Sequence, residues 1–573
     1  MSKRQIGRGV PSRHPRRSGW LLAVAAAVLA CLAYLNALDN PFVYDDHDTV
    51  LANRSLVDLS NLRFILVYTP FRPLVNASYA LDRWIWDYRP FGYHLTSVAL
   101  HALTVVLLYV WMRRILDDTT PGADATLPAF AGAALFAVHP IQTEAVGYVS
   151  GRSEVLSAVW FMTALLLGRS AVTSGRRVSA VLGVVAGVLA LASKETALAL
   201  PVVFLAYDWL LRPGTDEGRR RRLWLVAVPL LVLAAAAGGY RFLAMNGPSN
   251  GVMTAVLNAM TQSIVIWRYV GLVVWPFGQS IMHSVHRVTH LADPFAWIAI
   301  AALLLTCVIG FRLRRSDPVS ALGIAWFLAV LAPSSSFLPL REGMAEHRAY
   351  LASAGLFVVI SSIVRRRTIA MKAPQYSIRL AVGVAVSILC VLTVMRNRVW
   401  SDPITLWSAA TLHAEGMWEP RYALADSLRE AGQCAAAVPE YRKVVALRPA
   451  HRDGHTNLGI CLAETGHLDE AEREFRRALE IDPSYARGYT NLGALALMAG
   501  DATRARDFYR EAIGKDPNNV LARMQLASLY ENTFHDYHSA ARMCGEARLL
   551  APSTPGVVDC VERNQRRAVS EGR

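Results

Sequence analysis

Long apolar segments alternate with short runs of arginine over the first two thirds of the chain, and this alternation limits the possible folds severely. Of the 573 residues, 53% are hydrophobic and only 18% are charged. Soluble domains are usually less apolar than this. A run of about 20 apolar residues is long enough to cross a bilayer as a helix. The pattern therefore predicts an all-α protein that spans a membrane many times.

Eleven apolar segments are candidate spans. The first begins at Trp20, after a basic tail at residues 1–19, and we interpret it as an uncleaved span rather than a signal peptide. The others centre near residues 93–112, 127–138, 154–170, 178–193, 195–211, 223–243, 294–311, 318–337, 348–364 and 378–395. A twelfth candidate, residues 258–275, is interrupted by Arg268.

The arginine runs predict the orientation, because cytoplasmic loops are enriched in Lys and Arg. They all fall on the side of the N-terminus only if residues 258–275 do not cross, so we predict an interfacial or re-entrant helix there. Residues 20–396 then form a membrane domain in the inner (cell) membrane. The N-terminus is cytoplasmic and everything after residue 396 is extracytoplasmic. The net charge of +15 comes from loops beside membrane lipids, so no nucleic-acid partner is predicted.

The C-terminal third repeats every 34 residues, which is the tetratricopeptide period. Alanines recur at 437, 471 and 505, where paired helices pack closely, and prolines recur at 449, 483 and 517. The prediction is a helical solenoid of four repeats, at residues 418–451, 452–485, 486–519 and 520–554. A linking helix at 397–417 precedes it. Residues 555–573 form a capping helix and, from Arg566, a disordered tail.

Several short motifs from distant parts of the chain share the predicted outer face. They are Tyr44-Asp45-Asp46 and Arg72-Pro73-Leu74 in the outer loop 39–92, then His139-Pro140, Gly151-Arg152-Ser153-Glu154, Ser193-Lys194-Glu195 and Glu346-His347-Arg348. Together with the repeats, they resemble the transmembrane and tetratricopeptide repeat O-mannosyltransferases from about residue 20 onward. That family is similar to the wider GT-C class of membrane glycosyltransferases. These enzymes transfer sugar from a polyprenyl-phosphate carrier to an acceptor outside the cytoplasm.

The resemblance implies roles for the outer residues. Asp45 would be the general base that takes the proton of an acceptor hydroxyl, with Asp46 as its partner, although the sequence does not separate the two. Cationic and imidazole groups would stabilise the departing phosphate. The candidates are Arg348, His347, Lys194, Arg72, Arg152 and His139, with Glu195, Glu346 and Glu144 in support. Local alternatives are a helix cap for the acid pair and ion pairs for the cations.

The function implied is transfer of a sugar, with mannose expected, from a polyprenyl-phosphate donor to Ser or Thr hydroxyls of exported proteins recruited by the repeats. Two alternatives stay open: a membrane-anchored scaffold for envelope protein complexes, and a transferase that acts on a lipid or glycan.

Cofactor requirements stay undecided at this point. Asp45, Asp46, His47 and Asp48 leave a divalent metal possible but unassigned. The seven cysteines show neither zinc-finger spacing nor a Cys-x-x-Cys redox motif.

Overall fold

The computed structural model describes residues 16–212, 217–245, 251–335, 342–370 and 376–571. All regular secondary structure in these residues is helical, which confirms the predicted all-α fold. The chain divides after Leu406 into two compact units. This division falls within the predicted linking segment 397–417, whose helix is Pro403–His413. Most of the predicted basic tail, residues 1–15, lies outside the described residues.

The first unit contains long helices, short apolar helices and single helical turns. Its α-helices are α1 (Arg16–Ala33), α2 (Leu62–Tyr68), α3 (Pro73–Trp86), α4 (Pro90–Thr119), α5 (Thr126–Ala137), α6 (Thr143–Val146), α7 (Arg152–Ser174), α8 (Arg177–Leu191), α9 (Leu200–Leu211), α10 (Glu217–Met245), α11 (Val252–Val274), α12 (Pro294–Ser316), α13 (Pro318–Leu331), α14 (Ala349–Ala370), α15 (Tyr376–Val399) and, across the division, α16 (Pro403–His413). The single turns are Leu35–Ala37, His47–Leu51, Arg54–Leu56, Pro140–Gln142, Val149–Gly151, Glu195–Ala199 and Glu346–Arg348.

Local sequence explains where several of these helices begin. Proline occupies the first turn of α3, α4, α12 and α13, where its missing N–H costs no hydrogen bond. The Asp293 side chain accepts a hydrogen bond from the Ala296 N–H at the start of α12. Asp317 accepts one from the Ser320 N–H at the start of α13. These caps satisfy N–H groups that a helix leaves without partners.

Polar side chains of the first unit gather at the two ends of helix α7. At the end that we call the site end, the contacts join Asp46 to Ser150, Lys194 to Glu154, Glu346 to Glu144 and Asn397 to Asn36. At the other end, which we call the arginine end, they join Arg169 and Arg212 to Asp118, Arg365 to Thr120 and Arg366 to Asp317. Each end therefore brings together loops that are far apart in sequence.

Seven described segments are long and apolar enough to cross a membrane, which marks the chain as a membrane protein. They are Gly19–Ala37, Pro90–Thr119, Val149–Ser174, Glu217–Tyr240, Pro294–Ser316, Glu346–Ala370 and Tyr376–Val399. The other four predicted spans correspond to α5, α8, α9 and α13, which have 12, 15, 12 and 14 residues. At 1.5 Å per residue they are shorter than the hydrocarbon core of about 30 Å. The count of eleven spans stays a prediction.

Helix α11 covers the segment predicted to lie at the interface. Its residues Gln262 and Tyr269 bond to the backbone oxygens of Gly343 and Ala345, just before the Glu346–Arg348 turn. The backbone oxygen of Val273, near its last turn, contacts His139. The second half of α11 thus packs at the site end, while its placement relative to a membrane stays a prediction.

The second unit consists of paired helices. They are α17 (Glu419–Glu430), α18 (Cys434–Leu447), α19 (Arg452–Glu464), α20 (Leu468–Ile481), α21 (Ala486–Met498), α22 (Ala502–Lys515), α23 (Val520–Asn532), α24 (Tyr537–Leu550) and α25 (Pro555–Glu571). Gly432, Gly466 and Gly500 follow α17, α19 and α21 with φ angles of +70°, +85° and +83°. Left-handed backbone of this kind favours glycine, which explains why glycine recurs at each turn.

The end of the chain differs from the prediction of a disordered tail from Arg566. Helix α25 continues to Glu571. Arg563 and Arg567 each bond to Glu531 of α23 at 2.8 Å. These two ion pairs therefore anchor the capping helix to α23.

Two disulfides in the second unit were not anticipated from the sequence. Cys434 pairs with Cys461, and Cys544 pairs with Cys560. Their sequence separations of 27 and 16 residues match no short cysteine motif. The pairs depend on which repeat helices pack together, and motif spacing carries no information about that.

Candidate active site

Asp46 is buried immediately before the His47–Leu51 turn. Its carboxylate accepts hydrogen bonds from the Ser150 N–H at 2.8 Å, the Ser150 hydroxyl at 2.7 Å and the Val43 N–H at 3.2 Å. Burial raises the pKa of Asp46 to about 7, although these hydrogen bonds act to lower it. Asp46 therefore holds the outer loop against the segment before α7 and changes charge near neutral pH.

Asp45 is exposed, so the two adjacent acids have different environments. Its backbone N–H donates to the Tyr148 hydroxyl at 3.0 Å, and its carbonyl accepts from the Thr49 hydroxyl at 2.8 Å. Tyr148 in turn stacks on Trp400, with ring centroids 5.6 Å apart. The backbone of Asp45 is thus fixed, while its side chain belongs to the exposed surface.

The residue before the pair has an uncommon backbone conformation. Tyr44 has φ +52°, in the left-handed region that non-glycine residues rarely adopt. Its hydroxyl donates to Glu342 Oε1 at 3.0 Å. The Glu342 backbone oxygen accepts from Arg348 at 3.0 Å, so Glu342 connects the Asp45 turn with the Glu346–Arg348 turn. Strained conformations of this kind persist when surrounding contacts hold them, often at functional sites.

A buried chain of acids and imidazoles lies beside this connection. His347 Nδ1 is 2.5 Å from Glu144 Oε1, and the Glu346 N–H donates to Glu144 Oε2 at 2.9 Å. Glu346 Oε1 is 2.8 Å from His283 Nε2 and accepts from the Ser280 N–H at 2.7 Å. Burial, followed by the charge of Glu346, raises the pKa of Glu144 well above its usual range. The spacing of His283, His286 and His290 suggests an amphipathic surface beside lipid headgroups, but His283 instead enters this buried chain from an irregular segment.

Two further cations lie next to carboxylates at the site end. Lys194 is buried, with Nζ 2.9 Å from Glu154 Oε1 and 3.2 Å from the Ser153 hydroxyl. Arg72 pairs with Glu195 at 3.4 Å, and its side chain remains 38% exposed. Arg72 is thus the more accessible of the two to a ligand.

An apolar cavity of about 350 Å³ adjoins the Arg72–Glu195 pair. Its walls come from the segment before α3, from α8 and from α10. They include Phe71, Leu191, Leu198, Leu233 and Tyr240, and Glu195 lies at its edge. The Arg72 guanidinium thus lies beside this cavity, which we call the apolar groove.

Arg152 and His139 have other surroundings. The Arg152 side chain is fully buried, lies 2.5 Å from Asp82 and donates to the Tyr93 backbone oxygen at 2.7 Å. His139 Nδ1 accepts from the Ile141 N–H, and its Nε2 is 3.0 Å from the Val273 oxygen. The structure therefore gives both residues protein partners. The contact of Tyr44 with Glu342 connects the turn of Asp45 and Asp46 with the segment of Glu346, His347 and Arg348, which Glu144 also contacts.

The possible metal site is not supported by a ligand cluster. Among the described residues, no group of three or more His, Cys, Asp or Glu side chains is arranged to hold a metal ion. Asp46 and Glu144 use their oxygens for protein N–H or imidazole partners.

Comparison with known proteins agrees with these features. Residues 422–486 and 465–520 match the family model described as "Tetratricopeptide repeat". The chain is 24% identical over 528 residues to the human protein O-mannosyl-transferase TMTC1, a match that covers 79% of this chain and 58% of the relative. It is 23% identical over 466 residues to the protein O-mannosyl-transferase F38B6.6 of Caenorhabditis elegans, which covers 77% and 65%.

The chain is related to the protein O-mannosyl-transferases. This relationship confirms the resemblance found in the sequence, and the family match confirms tetratricopeptide repeats within residues 422–520, while the bounds of the four repeats stay a prediction. The chain spans 58% and 65% of the length of these two O-mannosyl-transferase relatives. Among solved structures, the crystal structure of MamA covers 26% of this chain and 86% of its own, with 19% identity and a TM-score of 0.24.

Proposed function

We propose that the chain is a membrane glycosyltransferase that moves mannose from a polyprenyl-phosphate donor to Ser or Thr hydroxyls of exported proteins. The observation that carries the proposal is the site end itself. There, an exposed carboxylate follows a strained turn beside a buried one, next to the Glu346–Arg348 segment, in a relative of the protein O-mannosyl-transferases.

Asp45 is the proposed general base, because its side chain is exposed to an incoming acceptor. It takes the proton of the acceptor hydroxyl while the hydroxyl oxygen forms a bond to the anomeric carbon. The bond between that carbon and the phosphate oxygen breaks, and the polyprenyl phosphate leaves with the electron pair. Asp46 is a positioning residue, since its buried carboxylate ties the turn to Ser150.

The donor phosphate is proposed to meet Arg72, Arg348, Lys194 and His347. Arg72 borders the apolar groove, so a phosphate beside its guanidinium would leave the polyprenyl chain against Leu191 and Leu233. His347 is held through Nδ1 by Glu144, so Nε2 is the nitrogen that would face the phosphate. Glu195 and Glu346 support the cations by ion pairing and by fixing the turn. We assign Arg152 and His139 to positioning, because the Arg152 side chain is fully buried against Asp82 and both ring nitrogens of His139 contact backbone groups.

We propose that the site end faces outward from the inner membrane and the arginine end faces the cytoplasm. The support is the concentration of arginines at one end, as expected for cytoplasmic loops. The repeats then also lie outside. As a helical solenoid they can bind extended segments of exported proteins, and their covalent link to the transferase unit raises the acceptor concentration near it.

Mass spectrometry of secreted and envelope proteins tests the proposal. The strains compared carry the wild type, a deletion, Asp45→Asn or Asp48→Asn, the last being a matched exposed acid three residues further along the chain. We expect O-linked hexose on Ser and Thr to disappear in the deletion and to fall by about 10²-fold or more in Asp45→Asn, while Asp48→Asn keeps it.

Other outcomes contradict the proposal in distinct ways. Unchanged protein glycans with altered envelope glycans would identify a lipid or glycan acceptor. No change in either would identify a scaffold. Normal transfer by a well-folded Asp45→Asn protein would remove Asp45 as the base while leaving the transferase intact.

A further inference from the structure

The two disulfides occupy the two ends of the repeat array. Cys434, the first residue of α18, pairs with Cys461 of α19, so this bond joins the first repeat to the second. Cys544 of α24 pairs with Cys560 of α25 and joins the last repeat to the capping helix. Their Cα atoms are 4.9 Å and 5.7 Å apart, within the usual range for disulfides.

The cysteines divide by location. All four in the second unit are paired. The three free cysteines, Cys31, Cys307 and Cys390, lie in α1, α12 and α15 of the membrane unit. Pairing is thus confined to the unit that we place outside the cytoplasm, where disulfides form and persist.

The ends of a repeat array are its weakest parts. Each repeat contacts only its neighbours, so a terminal repeat has one stabilising interface and opens more readily than a central one. The first disulfide crosses the terminal interface at one end, and the second crosses it at the other. Noncovalent contacts already reinforce the second, because Glu531 of α23 binds Arg563, Asn564 and Arg567 of α25.

All four paired cysteines are buried in the folded array. Disulfide exchange requires a thiolate to reach a sulfur atom directly. An oxidant therefore reaches these thiols only before the repeats have finished packing. Once formed, the bonds are shielded from reductants for the same reason.

We propose that Cys434 with Cys461 and Cys544 with Cys560 are oxidative modification sites that close both ends of the repeat array during its folding outside the cytoplasm. The oxidant is a protein disulfide that reacts by thiol–disulfide exchange. A cysteine thiolate attacks it to form a mixed disulfide, which the second cysteine then resolves. Each cysteine pair loses two protons and two electrons, and the oxidant's disulfide becomes two thiols. This inference shares with the proposed function only the outward placement of the repeats.

Thiol counting on the full-length protein is the first test. Protein purified from membranes is denatured and treated with a maleimide that adds a fixed mass per thiol, with and without prior reduction. We expect three additions without reduction and seven after it. Seven additions without reduction would overturn the modification sites. Neither this count nor the next test measures sugar transfer, so failure here is distinct from failure of the proposed function.

Hydrogen exchange tests the closing of the ends. In the double variant Cys434→Ser with Cys461→Ser, we expect amides of α17 and α18 to exchange about 10-fold faster or more, and those of α21 to stay unchanged. The variant Cys544→Ser with Cys560→Ser should do the same to α25. Cys307→Ser is the control that should change neither end.

If hydrogen exchange at both ends of the array is unchanged in folded double variants, the disulfides do not close those ends and the proposal is overturned. If a double variant does not accumulate, the test uses wild-type protein instead. This protein is synthesised and folded in cells that are grown with a membrane-permeant reductant. We then expect seven reactive thiols and the same faster exchange at the ends. Seven reactive thiols with protected ends would again contradict the proposal.

Discussion

At the scale of single residues, two arginines of the site end have opposite expected roles. Arg152 is buried against Asp82, so Arg152→Met leaves a buried carboxylate without its partner and should cost about 3–5 kcal/mol of stability. Arg72 is 38% exposed beside Glu195, so Arg72→Met should cost about 1 kcal/mol or less. If Arg72 meets the phosphate, its loss should lower mannose transfer by about 10²-fold.

Thermal unfolding in detergent and a transfer assay on the same preparations separate these two expectations. A well-folded, inactive Arg152→Met protein would show that Arg152 acts in the reaction instead. Unaltered transfer by Arg72→Met would remove Arg72 from the donor site.

The charge of Asp46 should appear in the pH dependence of transfer. Its pKa is raised to about 7, so the ionised form that accepts hydrogen bonds from Ser150 grows as the pH rises through about 7. We expect kcat/KM to rise over the same range. Ser150→Ala removes a hydrogen bond that lowers this pKa, so the midpoint should move to higher pH. Ser60→Ala, elsewhere in the outer loop, should leave it unchanged. A midpoint that stays in place in Ser150→Ala would assign the titration to another group.

At the scale of helices, two glycines of the repeats allow the effect of side-chain packing on stability to be measured separately from the effect of helix propensity. A Cβ at Gly459 would lie 2.6 Å from the Phe475 ring, so Gly459→Ala should destabilise the second repeat by about 1–3 kcal/mol. Beyond the adjacent backbone of α22 itself, no atom lies within 4 Å of a Cβ at Gly514, so Gly514→Ala should be neutral or stabilising by up to about 1 kcal/mol. Hydrogen exchange of α19 and α22 in the full chain measures both. If the two substitutions change hydrogen exchange equally, Gly459 does not pack against the Phe475 ring as the structure shows.

The first three repeats were predictable because they carry the same local requirements at the same period. Gly466 and Gly500 mark left-handed turns, and Ala471 and Ala505 are buried where helices pack. Helix α5 shows what composition alone leaves open. It is apolar because most of its surface is buried in protein, and at 12 residues it is shorter than the bilayer core. Composition does not distinguish a buried core helix from a short span.

At the scale of the whole molecule, the site depends on contacts between residues that are far apart in the chain. Tyr44 bonds to Glu342, and His283 lies against Glu346. The acid pair and the Glu346-His347-Arg348 motif could be recognised in the sequence, because each is a short run of unusual residues. Their partners could not, because His283, close in sequence to His286 and His290, gives no local signal of the carboxylate that it meets after folding.

The orientation of the molecule can be tested through α11. If α11 does not cross the membrane, the segment between α12 and α13 lies on the cytoplasmic side together with the other arginine-rich loops. A cysteine at the exposed Ser316 should then resist a membrane-impermeant maleimide in intact cells and react after permeabilisation. Ser60→Cys, exposed in the outer loop, should react in both conditions.

If α11 does cross, Ser316 and all of the later segments change sides, and Ser316→Cys reacts in intact cells. That result would also move the repeats to the cytoplasm, where the disulfides of the array would not be expected to persist. The maleimide reaction at Ser316 and the thiol count of the repeats therefore check the same orientation from two separate parts of the chain.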